Sequence, residues 1–322
     1  MRAIQMQKNG GPEVLEVVEV PVRQPAAGEI LVRHEAIGLN FIDVYQRIGL
    51  YPGPLPMILG REAAGVVESV GEGVTRFEAG DRVGYCSQLQ AYAETNTIKA
   101  DQAVKLPDSV SAQTAAAVML KGMTAEFLVR RVWHVVKGDT VLVHAAAGGV
   151  GTLLCQWLNH IGVRVIGTVG SAEKAVHAKA HGCAEVILYR DENVAARVKE
   201  LTGGKGVKVA YDSVGKDTLE ASLDSLAPRG LFAAYGNASG PAPGVEPLRL
   251  LRGGSLYMTR PALFAYIGTR EELDESANAL FEVMSSGAVK VEIGQTFPLA
   301  KAADAHRALE ARNTTGATPL IP

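Results

Sequence analysis

Small residues give the first clue to chemistry in this chain. His144-Ala145-Ala146-Ala147-Gly148-Gly149-Val150-Gly151 lies between an apolar run, Thr140 to Val143, and a helical pattern, Val150 to Ile161. Strand, tight turn and helix in that order are the setting in which G-x-G-x-x-G binds a dinucleotide. The small residues serve the turn, the approach of backbone to pyrophosphate, and the packing of helix on strand. Ala146, Gly148 and Gly151 fill those three places. A helix starting there turns unpaired N–H groups and a partial positive charge toward a diphosphate.

The second strand of such a unit tells which nicotinamide cofactor fits. An NAD-binding unit ends that strand with Asp or Glu, about 20 residues past the glycines, to accept the ribose hydroxyls. Val169-Gly170-Ser171 stands there instead, Lys174 follows one turn into the next helix, and Tyr189 ends the third strand. A carboxylate would repel a 2′-phosphate, whereas small polar residues beside a cation accept one, so the pattern favours NADPH. Lys174 and Tyr189 also have an ordinary surface reading. Glu173 is placed to turn back to a ribose hydroxyl and admit NADH.

The elements that must position these residues follow from periodicity. Residues 1 to about 110 alternate short valine-rich segments (Leu15 to Val20, Glu29 to Ile37, Gly65 to Val70, Arg82 to Tyr85) with Gly and Pro turns, as in an all-β module. From Ala112 a helical pattern leads to Trp133, and strands then alternate with helices at βαβ spacing. Further strands are predicted at Arg164 to Val169, Glu185 to Leu188, Lys208 to Asp212, Gly230 to Tyr235 and Ser255 to Thr259. Helices are predicted from about Glu173 to His181 and from about Lys301 to Arg312, and Thr269-x-x-Glu272 is a capping box opening another.

Composition narrows the function classes. The 322 residues suit two domains, and 47% hydrophobic content supplies a core for each. A formal net charge of -2 leaves no basic excess for a broad nucleic-acid surface. The N-terminal segment alternates like a strand and lacks a signal-peptide core. No apolar run approaches the about 18 residues of a membrane span. Cys86, Cys155 and Cys183 are isolated and without metal-ligand spacing, which points to a reduced, cytoplasmic setting.

Leu59-Gly60-Arg61-Glu62-Ala63-Ala64-Gly65-Val66-Val67-Glu68-Ser69-Val70-Gly71, continuing to Gly80-Asp81-Arg82-Val83, resembles the glycine-spaced β module of the medium-chain dehydrogenases/reductases. Together with the glycine turn, the resemblance covers essentially the whole chain. Within that superfamily the chain resembles the zinc-free, zeta-crystallin-like NADPH:quinone oxidoreductases, through Gly38 to Tyr45, Lys121 to Thr124, Tyr211 to Gly215 and Tyr235 to Asn237. The zinc-dependent branch carries Cys in the Asn40 region, Gly-His-Glu where this chain has Gly60-Arg61-Glu62, and a four-cysteine lobe. Those ligand sets cannot be assembled from three scattered cysteines. Glu62 then reads as a structural hydrogen-bonding partner, and Lys121 stays open between an ion pair at the rim of the site and a role with substrate.

The resemblance implies an α/β protein, with a GroES-like β-rich catalytic domain from residues 1–123 and 263–322 and a Rossmann-type doubly wound parallel sheet, 124–262, between them. It implies NADPH as cofactor, with Gly148, Gly149 and Val150 on the diphosphate and Gly170, Ser171, Lys174 and Tyr189 at the adenosine phosphate. Ser213, Asn237 and Arg312 fall on further cofactor positions, and Thr124 and Phe127 near the nicotinamide. Arg312 also reads as a cation at a helix C-terminus. The loop with Asn40, Tyr45 and Tyr51 is implied to wall the acceptor across a cleft, its amide and phenols hydrogen-bonding quinone oxygens. Asn40 or Asp43 capping a short helix, and core tyrosines, are the competing readings.

Without a metal to polarise a carbonyl, an acceptor that spreads negative charge over its own conjugated system is favoured, and quinones do this best. The closest rival is a zinc-free reductase of the C=C bond in enones or enoyl thioesters, with Tyr45 or Tyr51 stabilising an enolate. A binding or structural role, on RNA for instance, is the rival from another class. A strand near Ser255 to Thr259 at a sheet edge is expected to pair with a second copy, giving a homodimer.

Overall fold

The computed structural model describes residues 1–312 and 314–322. Two compact units divide them: Met1–Met123 with Ile267–Phe281 and Val291–Pro322, and Thr124–Tyr266 with Glu282–Lys290. The second unit runs to Tyr266 rather than 262, and takes in nine residues that the sequence reading gave to the C-terminal return.

The first unit is built on Glu29–Gly38, whose buried Ile30, Val32 and Ala36 alternate with exposed Arg33 and Glu35. Glu62–Val70, Pro319–Ile321 and Thr95–Lys99 all pair antiparallel with it, and Arg82–Tyr85 continues the sheet beyond Glu62–Val70. Arg2–Met6 joins Glu16–Glu19 and Met57–Ile58 in a separate three-stranded sheet. Gly65 explains the glycine spacing seen in the sequence: a Cβ there would lie 1.9 Å from the Arg33 carbonyl oxygen of the neighbouring strand. Any side chain would force the pair apart.

A short helix, Phe41–Arg47, carries the loop of interest and rests on a buried polar chain. Asp43 Oδ2 accepts the Asn40 backbone N–H at 2.9 Å and the Tyr92 hydroxyl at 3.1 Å. Tyr92 in turn meets His306 Nε2 at 3.0 Å, and His306 Nδ1 meets Arg47 Nη1 at 2.9 Å. Arginine only donates, so His306 accepts at Nδ1 and donates from Nε2, and every hydrogen bond in the chain points toward Asp43. Arg47, 1% exposed, closes the far end with a two-pronged bond to Glu310 at 2.7 and 2.9 Å.

The second unit is an all-parallel sheet. Among the described residues its strands lie in the order Glu185–Leu188, Arg164–Val169, Thr140–Val143, Val207–Asp212, Leu226–Ala234, Tyr257–Thr259. Numbered along the chain this is 3-2-1-4-5-6, the doubly wound dinucleotide-binding order. The helical pattern after Ala112 is an α-helix only to Phe127; Leu128–Val132 widens into a π-helical turn before Trp133 becomes extended. Leu226–Ala234 starts earlier than periodicity indicated, because a register shift between Val207 and Val209 lets the two strands pair on either side of an irregular Arg229 at φ +62°. His144 is a buried bridge: Nδ1 lies 3.1 Å from Thr168 Oγ1 and Nε2 lies 3.0 Å from Ser222 Oγ, which donates to Asp212 at 2.8 Å.

Two stability measurements check these cores. Ser222→Ala strips a donor from the buried Asp212 carboxylate and an acceptor from His144, so urea unfolding is expected to show a loss of about 1–3 kcal/mol; an unchanged midpoint contradicts the bridge. Burial pushes the Asp43 carboxyl up from an ordinary 3.8 to about 7, against the Asn40 and Tyr92 donors and the Lys121 charge. Folded Asp43 therefore keeps a proton that the unfolded chain has lost, and its stabilising contribution, complete below pH 3.8, disappears as pH rises through 7. The buried His34 and His306, lowered by burial to about 4 and about 3, act in the opposite sense on the acid side. Asp43→Asn is expected to remove that loss, so that the variant's thermal midpoint gains on the parent's between about pH 4 and pH 7; a difference independent of pH across that window contradicts the assignment.

Candidate active site

The second unit gathers most of the expected cofactor residues at the carboxyl ends of its strands, where open parallel sheets take their ligands. Gly148, Gly149 and Val150 follow Thr140–Val143, Gly170 and Ser171 follow Arg164–Val169, and Tyr189 follows Glu185–Leu188. Ser213 and Asn237 follow the next two strands. In the glycine turn Ala145 is left-handed at φ +51°, Gly148 donates its N–H to the Ala145 carbonyl at 2.8 Å, and the helix Gly149–His160 begins. The N–H groups of Gly149, Val150 and Gly151 precede the first i−4 acceptor and face out of the helix start. A Cβ on Gly151 would sit 2.2 Å from the Ala145 oxygen, so only glycine lets the helix close on the turn. This cradle fits a diphosphate.

Ser171 caps the helix Ala172–Ala180 by accepting the Lys174 N–H at 3.3 Å. The Tyr189 hydroxyl lies against Gly170, where a Cβ would come within 2.7 Å of it. Gly170, Ser171 and Tyr189 thus form one patch with half-buried Lys174 one turn on and Glu173 exposed. The buried Asp212 anchors the loop with Ser213 by accepting the Val214 and Gly215 N–H groups at 2.7 and 3.0 Å. Ala238 donates to the Ser213 carbonyl at 3.1 Å, which brings Asn237 beside Ser213.

Three expected cofactor residues need separate statements. Thr124, at the start of the second unit, is 8% exposed. Phe127 is 1% exposed, and its ring stacks on Tyr266 at 4.6 Å and 9°. Tyr266 carried no signal in the sequence, being remote and outside any motif. Arg312 belongs to the first unit, where it is exposed and left-handed at φ +58°; its N–H bonds the Leu309 carbonyl at 3.1 Å and closes the helix Ala302–Glu310.

The first unit brings Asn40, Tyr45 and Tyr51 onto and beside the helix Phe41–Arg47. Tyr45 and Tyr51 meet edge to face at 5.4 Å and 76°, and the Tyr51 N–H donates to the Tyr45 carbonyl at 3.1 Å. Tyr45 is 7% exposed and mainly packs, whereas Tyr51 is half-buried and offers more of its surface. Asn40 begins the helix, as the capping reading expects, and its side chain also bonds a neighbouring strand. It is the N-cap residue, and its side-chain Nδ2 donates to Glu62 Oε2 at 2.8 Å.

Glu62 is wholly buried and is the hub of this half-site. Its Oε1 accepts the Leu120 backbone N–H at 2.7 Å, and its Oε2 faces Lys121 Nζ at 3.5 Å as well as Asn40. Burial pushes the carboxyl up, opposed chiefly by the Lys121 charge and by the Asn40 and Leu120 donors. Gly38, paired with Glu62 across the sheet, makes room for it, since a Cβ there would fall 2.0 Å from Oε2. The arrangement does not fit a zinc ion. An amide stands at Asn40, a guanidinium at Arg61, and the Glu62 carboxylate already faces an ammonium that would repel the metal.

Comparison with known proteins agrees with both units. Residues 26–137 match the model for the alcohol dehydrogenase GroES-like domain, and 149–282 the model for zinc-binding dehydrogenase. A quinone oxidoreductase of Pseudomonas aeruginosa is 53% identical over 323 residues, with 100% of this chain and 99% of the relative covered. A 2-haloacrylate reductase of Burkholderia is 45% identical over 327 residues, covering 98% of this chain and 97% of the relative. The structure of an Escherichia coli quinone oxidoreductase complexed with NADPH superposes with a TM-score of 0.98 at 50% identity and covers 100% of both chains. The chain belongs to the quinone oxidoreductase family of the medium-chain dehydrogenases/reductases.

Proposed function

We propose that this chain is an NADPH-dependent quinone reductase that works without zinc. The observation that carries the reading is the Asn40–Glu62–Lys121 set, a polar cluster with no place for a metal in the half-site that carries the acceptor residues. Full-length relatedness to enzymes named quinone oxidoreductase, one of them solved with NADPH, supports it. NADPH, when bound, supplies the hydride. Gly148, Gly149 and Val150 hold its diphosphate, and Gly170, Ser171, Lys174 and Tyr189 hold the phosphate on its adenosine ribose. Thr124, Ser213, Asn237 and Arg312 complete the cofactor set.

Asn40, Tyr45 and Tyr51 orient the flat acceptor, the amide by hydrogen bonding and the rings by packing. With one N–H of Nδ2 directed at Glu62, Asn40 keeps a second N–H to donate to an oxygen of the acceptor. The relative named 2-haloacrylate reductase supports a second reading, reduction of an activated C=C bond at the same site.

Residues 1–123 and 263–322 are taken as the catalytic domain and 124–262 as the cofactor domain. Among the described residues Tyr257–Thr259 is bonded on one side only, to Leu226–Ala234, and exposes Tyr257 and Met258 near exposed Leu248 and Leu251 in the chain. A second copy pairs along that edge to give a homodimer. Cys155 and Cys183 are both free with their Sγ atoms 3.5 Å apart, which supports a reducing, cytoplasmic setting. No helix among the described residues is long and apolar enough to cross a membrane.

A panel of acceptors separates the two readings: NADPH oxidation with 1,4-benzoquinone is expected to exceed that with an enone or a 2-haloacrylate. Quinone turnover at the blank rate beside rapid haloacrylate reduction transfers the assignment to the second reading. Lys174→Ala is expected to raise KM for NADPH about 10-fold or more while leaving NADH nearly unchanged; equal losses remove the phosphate role. Light scattering at micromolar concentration is expected to give twice the chain mass, and a monomer mass rejects the edge pairing.

A further inference from the structure

We infer that Lys121 is the group that meets the negative charge when the acceptor is reduced: its ammonium, tethered by Glu62, hydrogen-bonds the acceptor oxygen and then gives it a proton. This rests on the quinone-reductase reading and adds the source of the second hydrogen. Hydroquinone formation needs a hydride and a proton, and an acceptor that takes only the hydride is left as an anion.

Four observations point to Lys121. Its Nζ lies 3.5 Å from Glu62 Oε2, longer than a charge-assisted hydrogen bond of about 2.7–2.9 Å, so charge holds it in place without using up its donors. An ammonium has three N–H groups. At most one is directed at Glu62, and no other hydrogen bond or ion pair engages Lys121 among the described residues. The Glu62 oxygen that faces Lys121 also holds Asn40 Nδ2 at 2.8 Å, so the ammonium and the acceptor-orienting amide converge on one atom. Glu62 has no exposed surface whereas the Lys121 side chain keeps 9%, so any approach from outside reaches the lysine first.

The surroundings suit such a role. Asp43 on the helix Phe41–Arg47, Glu62 on its strand and Arg61 beside it are the other ionisable groups of the cluster. Tyr92, His306 and Arg47 stand behind Asp43. Lys121 and Glu62 cancel before the reaction. As hydride arrives, the acceptor gains one negative charge, and the ammonium of Lys121, buried and so poorly hydrated, meets it as a cation whose interaction is correspondingly strong. The N–H bond then breaks, its electron pair stays on nitrogen, the O–H bond forms, and solvent returns a proton to the amine. Two electrons and one hydrogen come from the nicotinamide, the other hydrogen from the lysine.

The test uses two quinones whose reduced anions differ in basicity, tetramethylbenzoquinone and tetrachlorobenzoquinone, on the full chain with NADPH. Lys121→Met is expected to lower kcat about 100-fold with the tetramethyl compound, the scale of general-acid catalysis, and less than about 5-fold with the tetrachloro compound, whose anion needs little help. NADPH affinity, read from nicotinamide fluorescence, is expected to stay unchanged. Should Lys121→Met fail to fold because Glu62 loses its counter-charge, the double variant Lys121→Met with Glu62→Gln keeps the charge balance and is expected to show the same graded loss. Equal losses with both quinones, as a merely structural lysine would give, or no loss with either, overturn the inference. Failure of the parent chain itself to reduce either quinone retires the quinone reading instead.

Discussion

A carboxylate with no exposed surface must be neutralised where it stands, and the acceptor half-site follows from how Glu62 meets that demand. Its three donors come from two parts of the chain: the Asn40 amide from one, and the adjacent Leu120 backbone and Lys121 ammonium from the other. The N-cap of one helix, the middle of another and the strand Glu62–Val70 are thereby pinned to a single group. Gly38 owes its identity to the same constraint, since any larger residue would occupy the space of the carboxylate. Removing one donor unbalances the others, which is why the cluster acts as a unit.

The second unit depends on a different device. Parallel strands ending at one level leave room at their carboxyl ends, and short side chains there let backbone N–H groups do the recognition. Gly151 and Gly170 are required by close approaches, one to the Ala145 carbonyl and the other to the Tyr189 hydroxyl. Buried polar side chains then fix the loops. Asp212 holds the turn after its strand with one oxygen while Ser222, itself bonded to His144, donates to the other, so the position of Ser213 is set by buried side chains beneath it.

Much of this was legible in the sequence because it is local. Thr269 and Glu272 exchange hydrogen bonds at 3.0 and 3.2 Å as the capping box requires, and strands such as Arg164–Val169 carry their burial in short apolar runs. What escaped is what sequence separation hides. Lys121 and Glu62 are 59 positions apart and Tyr92 and His306 are 214 apart, so no spacing rule joins them. The stack of Phe127 on Tyr266 was hidden for the same reason, its partner lying far along the chain. Asn40 has two parts to play that spacing alone does not separate: it begins a helix, and its side chain donates to Glu62, 22 positions on.

The central claim is that an ammonium and an amide around Glu62 occupy the role that a metal fills in the zinc-dependent branch. Metal analysis of the purified chain, with quinone turnover measured before and after treatment with a strong zinc chelator, tests this most directly. The account predicts far less than one zinc per chain and unchanged turnover. One tightly held zinc per chain, with turnover lost on chelation and restored by zinc, would contradict it.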